Sequence, residues 1–198
     1  MRLHYQGHEE DLKFDPAVSP HRYGICRDTT VESVIFDFDE NPALTVMHRA
    51  LPRPCISPYM PWFAGITQIP EGYEWMGWKA SLKSHFSCDE DEFRYHSHLA
   101  YWALHSLMNT MEFDYPFCQQ KVHQGIEKLE KQWQLMIPDI RKAYRNISLT
   151  DTEAAAALIT DFTAAAAHKT WRWADAVRQE LTDSKNQANM RLWRSKIK

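Results

Sequence analysis

The segment Arg49-Ala-Leu-Pro-Arg-Pro-Cys-Ile-Ser-Pro-Tyr-Met-Pro-Trp-Phe-Ala-Gly-Ile-Thr-Gln-Ile-Pro-Glu-Gly-Tyr73 limits what this chain can fold into more than any other. Pro52, Pro54, Pro58, Pro61 and Pro70 each fix φ and remove a backbone donor, so neither a helix nor a central strand can run through them. Ile56, Tyr59, Met60, Trp62 and Phe63 between them are too apolar for a solvated linker. The segment is therefore expected to lie as irregular backbone against a core, and two roles fit it. It can be a rigid cover over a sheet edge or the wall of a substrate pocket, with Tyr59 and Trp62 as candidate substrate-binding side chains.

Before Cys88 the chain reads as short strands and loops, and after it almost entirely as helix. Val31 to Asp39 combines β-branched and aromatic residues in partial alternation, with Val34, Phe36 and Phe38 on one side and Ser33, Ile35 and Asp37 on the other. Asp39-Glu-Asn-Pro42 is a turn signal, and Leu44 to Arg49 resumes a β-prone run. The two runs predict an antiparallel hairpin. A hairpin alone is marginal in water, so it must belong to a larger sheet, built from the N-terminal residues or from another chain.

Three main helices are expected from about Phe93 onward. The first carries Tyr95, Leu99, Trp102, Ala103, Ser106 and Leu107 at three- and four-residue steps and runs to about Met111. Asp114-Tyr-Pro116 breaks it, with Pro116 placed for the first turn of the next helix. That second helix presents Val122, Ile126, Leu129, Trp133, Met136 and Ile140, with a kink expected at Pro138. Thr150-Asp-Thr-Glu153 announces the third, capped by Thr150 or Asp151 and running to about Leu181, where Asp183-Ser-Lys-Asn186 reads as a break. The class is α+β, with residues 1–88 a β-rich segment and 89–198 a helical region packed together as one domain.

The 198 residues and net charge of −3 describe an ordinary globular chain, and no basic stripe precedes Arg191–Lys198. Neither a nucleic-acid nor a membrane partner is expected, and the polar N-terminus lacks a secretion signal, which predicts a cytoplasmic protein. Cys26, Cys55, Cys88 and Cys118 are widely spaced, so reduced and mostly buried thiols are expected. His98 and His105 stand seven residues apart with no glutamate at ligand spacing, and Cys88-Asp-Glu-Asp-Glu92 lacks the spacing and glycine of a calcium loop. No metal and no cofactor are expected. In His21-Arg-Tyr-Gly-Ile-Cys-Arg-Asp-Thr-Thr30, Arg27 can pair bidentately with a substrate carboxylate or with an internal one. Cys26, beside Ile25 and ahead of a strand, reads as a buried inert thiol rather than a nucleophile.

Taken in order, Gly24-Ile-Cys-Arg-Asp-Thr-Thr-Val-Glu-Ser33, Arg53-Pro-Cys-Ile-Ser-Pro-Tyr-Met-Pro-Trp-Phe-Ala-Gly-Ile66, Ile69-Pro-Glu-Gly-Tyr73 and His98-Leu-Ala-Tyr-Trp-Ala103 resemble the bacterial cysteine dipeptidases related to dipeptidase A and secernin. The resemblance implies an N-terminal-nucleophile hydrolase, with two stacked antiparallel sheets between helical layers. It implies a cysteine at the mature N-terminus as nucleophile, its own α-amino group as base, and an acyl-enzyme intermediate. This chain has Met1-Arg2 where such an enzyme exposes cysteine, and Met1-Arg-Leu-His-Tyr-Gln-Gly7 resembles a segment from well inside family members. The expectation is a C-terminal portion of such an enzyme, without the nucleophile, in which Arg27 corresponds to the positive residue near it. A dipeptide would then be bound only with the missing portion supplied. The competing expectation is a stand-alone non-catalytic protein whose exposed sheet serves for homodimerisation or partner binding.

Overall fold

The computed structural model describes residues 30–74, 79, 82–83, 86, 95–113 and 115–196. Three strands, β1 (Ser33–Asp37), β2 (Val46–Ala50) and β3 (Met60–Phe63), form an antiparallel sheet in the order β1-β2-β3. Three helices follow, α1 (Ala100–Phe113), α2 (Tyr115–Ile147) and α3 (Thr152–Lys196). The α+β class stands.

The expected hairpin is formed, with Ile35 opposite His48 and Phe36 opposite Met47. Its turn folds as the sequence chemistry dictates. The Asp39 carboxylate accepts from the Asn41 N–H at 3.0 Å, and the Asn41 side chain accepts from the Ala43 N–H at 3.0 Å, opening a short 3-10 turn at Pro42–Leu44. From α2, Arg141 donates to the carbonyls of Asp37 and Leu44, both at 3.2 Å, and Arg145 meets the Asp39 carboxylate at 2.6 Å. These contacts pin the hairpin's turn to the helix.

Burial raises the Asp39 carboxyl, but the Asn41 N–H and the charges of Arg145 and Arg141 outweigh it and hold the group below its ordinary range. A depressed folded value means that this stability is present above the unfolded carboxylate pKa near 4 and is lost as pH falls through the folded value. We expect Asp39→Ala to cost about 1–3 kcal/mol at pH 7 by leaving Arg141 and the Asn41 N–H short of a partner. The gap between the variant and the parent should narrow in denaturant titrations below about pH 4.

The proline-rich segment does not remain irregular throughout. Met60–Phe63 is a strand, with Phe63 opposite Val46 and Pro61 opposite His48. A strand tolerates Pro61 here because β3 is the outer strand. Phe63, two residues on and so with its N–H on the same side, donates to Thr163 Oγ1 of α3 at 3.3 Å rather than to β2. The N–H that Pro61 lacks would thus point away from β2, and no ladder bond is lost. Upstream, Pro52 to Pro58 are buried, and Cys55 and Ile56 join a core with Leu104, Leu107, Met111, Val122, Ile126 and Ala174. Arg53 holds φ 61 there, in the left-handed region that side chains other than glycine rarely adopt.

Among the helices, α2 begins at Tyr115, so Pro116 occupies the first turn as expected, and the helix continues through Pro138. Asp151 Oδ1 accepts from the Ala154 N–H at 2.9 Å, which makes Asp151 the cap of α3. The break expected at Asp183–Asn186 does not occur: α3 runs on to Lys196. No glycine or proline interrupts residues 152–196, and Gln179 bonds the Asp183 carboxylate one turn on at 3.0 Å. A second core, in which Leu129, Trp133 and Ile137 of α2 and Ile159, Phe162 and Ala166 of α3 meet Val46, Met60, Trp62 and Phe63, fastens the helices to the sheet.

Candidate functional site

The sheet register divides the candidate residues between two faces. Met47, Arg49, Met60 and Trp62 share one face with Val34 and Phe36, while Ser33, Ile35 and His48 share the other. Trp62 belongs to the first. It is 4% exposed, with the Arg49 guanidinium 4.7 Å from its ring centroid and the Tyr73 ring edge-on at 5.6 Å. Arg49 in turn donates to Glu32 Oε1 at 2.5 Å. The Trp62 indole N–H is buried and meets no acceptor among the described residues. Tyr73 donates to the Ala167 carbonyl at 2.8 Å, and its burial raises its phenol far above the ordinary value, so it stays neutral.

Tyr59 serves the other face. Its hydroxyl lies 2.9 Å from Ser33 Oγ and its N–H donates to Glu130 Oε1 of α2 at 2.9 Å. The structure therefore brings Trp62 together with Arg49 and Tyr73, and Tyr59 with Ser33 and Glu130, but not Tyr59 with Trp62 in one wall. Arg27 lies outside the described residues, as do Cys26, His21 and the run 88–92. Cys55 and Cys118 are buried thiols.

His48 sits at the centre of the Tyr59 face. Burial lowers its pKa; Asp37 and Glu130 pull it up and Arg141 pushes it down, and the net shift is downward. The unfolded imidazole takes a proton near pH 6.5, before the folded one does, so stability is complete above that pH and falls as pH drops toward the folded value. Denaturant unfolding should show this loss setting in below about pH 6.5 in the parent, and His48→Gln should flatten it.

No known protein family, curated protein or solved structure matches this chain. Rings from Tyr95, His96, His98, Tyr101, Trp102 and His105 gather at the start of α1, with His96 and His98 centred 5.5 Å apart. Among the described residues no three His, Cys, Asp or Glu side chains are placed to share a metal ion, and no helix is long and apolar enough to cross a membrane.

The two edges of the sheet differ sharply. The outer edge of β3 is covered by α3, where Thr163 takes the Phe63 N–H and Thr160 takes the Thr67 N–H at 3.0 Å. The outer edge of β1 has no described strand beside it. Around that edge Val31, Ile35, Phe36 and Phe38 are 63%, 43%, 54% and 79% exposed, and Phe36 stacks on Phe38 with centroids 5.8 Å apart. The hairpin is short of partners on its sequence alone, which does not tell one edge from the other. The signal lay in α3, where Thr160 and Thr163 interrupt an alanine-rich face with side chains able to accept from β3 and its loop.

Proposed function

We propose that this chain is the sheet-and-helix portion of a cysteine dipeptidase-like hydrolase and is inactive without the portion that bears the nucleophile. The ordered resemblance of its motifs supports the reading. The observation that carries it is the Trp62 arrangement: a buried indole N–H without a described acceptor, beside a cation, inside the motif that the resemblance singles out. Such a donor fits a peptide carbonyl, and the Arg49 guanidinium fits a terminal carboxylate. In the assembled enzyme an N-terminal cysteine thiolate would attack the peptide carbonyl, its α-amino group accepting the thiol proton and returning it to the leaving amine. Water would then release the acyl group. Tyr59 would steady the Ser33 end of the sheet rather than touch substrate.

The test is dipeptide hydrolysis by the purified chain, alone and mixed with a polypeptide carrying the family's N-terminal portion. Activity only in the mixture is expected, with Trp62→Phe raising KM. Activity of the chain alone would overturn the missing-nucleophile reading.

The β1 edge, beside which no described strand lies, favours a second reading, a stand-alone non-catalytic protein that binds a partner strand. Silence in both assays, together with a stable complex through β1, would select it.

A further inference from the structure

We infer that β1 pairs with β1 of a second copy of this chain, antiparallel about a two-fold axis at Ile35, so that two three-stranded sheets become one continuous sheet. The inference rests on the second reading above, that β1 is a binding edge. Alternate residues of β1 turn their N–H and C=O groups away from β2, and Val31 to Phe38 contains no lysine or proline to blunt a free edge, its two charges being Glu32 and Asp37. The occupant must be an extended strand with apolar side chains at alternate positions. Among the described strands that description fits β1 itself, since β2 is paired on both sides and the outer edge of β3 is covered.

The axis at Ile35 uses the whole strand symmetrically. It sets Ser33 opposite Asp37 and Val34 opposite Phe36 of the other copy, with Glu32 opposite Phe38. No acidic side chain then faces another, and both acids already have cationic neighbours, Glu32 in Arg49 and Asp37 in Arg141. Because opposed residues share a face, Val34 and Phe36 of the two copies would form an apolar strip, with Phe38 beside Glu32 at each end, and the pairing would shield part of the Phe36 and Phe38 surface that a single copy exposes. The seam is short, which predicts a micromolar rather than nanomolar dimer.

Sedimentation over a concentration series tests this on the full chain. The parent should pass from monomer to dimer, and Phe36→Lys, at an exposed site that leaves the fold intact, should raise the dissociation constant about a hundredfold. Leu135→Lys, at an exposed site on α2, should leave it unchanged. Register is read by oxidation: Ile35→Cys thiols meet across the axis and should form a disulfide between copies, found by peptide mapping. Phe38→Cys thiols, six residues apart along the seam and about 20 Å distant, should not. A parent that stays monomeric overturns self-pairing. So does a monomer that instead forms a one-to-one complex with the N-terminal portion, lost in Phe36→Lys, although that outcome keeps β1 as a binding edge. A dimer indifferent to Phe36→Lys overturns the binding edge itself.

Discussion

Phe63→Ala is expected to destabilise the protein by about 3–5 kcal/mol, more than any other single truncation in the sheet. Phe63 is 1% exposed and stands where three elements meet. It lies opposite Val46 in β2, its ring is edge-on to Phe162 at 5.8 Å, and its N–H is bonded to Thr163. Removing the ring leaves a cavity between β3 and α3 that neither can close, because the Thr163 bond and the β2 ladder fix their spacing. A domain of ordinary stability has only about 5–15 kcal/mol to lose, so the midpoint of thermal unfolding should drop by about 10 °C or more. Phe36→Ala is the control. Its ring is 54% exposed, and dilute protein carrying that change should unfold within about 0.5 kcal/mol of the parent. A loss below about 1 kcal/mol in Phe63→Ala would mean that α3 does not seal the edge of β3.

Gly72→Ala should be nearly as damaging, at about 3 kcal/mol, although it adds a single methyl. Gly72 has φ +80, which strains any side chain, and the added Cβ would run into the ring of Trp171 on α3. Its carbonyl also accepts the N–H of Ala100, the first residue of α1, at 2.9 Å. One residue thus joins the end of the proline-rich segment to two helices, and displacement of either helix loosens the others. Gly72→Ala in a Trp171→Leu background separates the terms. Clash relief should recover part of the loss, and the part that remains belongs to the backbone.

The helices were legible because their signals are local. Val122, Ile126, Leu129 and Trp133 recur at helical spacing and are buried, although beyond them Ile137 rather than the expected Met136 turns inward; Pro116 marks a first turn, and Asp151 caps as its position suggests. The hairpin was legible for the same reason, in the alternation of Val34, Phe36 and Phe38 and the Asp39–Pro42 turn. Two readings failed where tertiary context overrode local chemistry. Asp183-Ser-Lys-Asn186 contains turn formers, yet α3 continues through them because nothing there forbids helix. Pro61 argued against a strand, yet an outer strand can carry proline when the absent N–H faces a helix. The division of Tyr59 and Trp62 between faces depends on where β3 begins, which composition does not encode.

On both proposals β1 is an edge at which another strand can seat, from a nucleophile-bearing portion or from a second copy. Amide hydrogen exchange of Ser33–Asp37, followed from dilute to concentrated protein and with the N-terminal portion added, tests this most directly. The outward amides of β1 should gain protection in at least one of those conditions. Met60–Phe63, already covered by α3, should exchange equally slowly in all of them. Protection that appears elsewhere on complex formation, with β1 exchanging as in the dilute chain, would contradict the account.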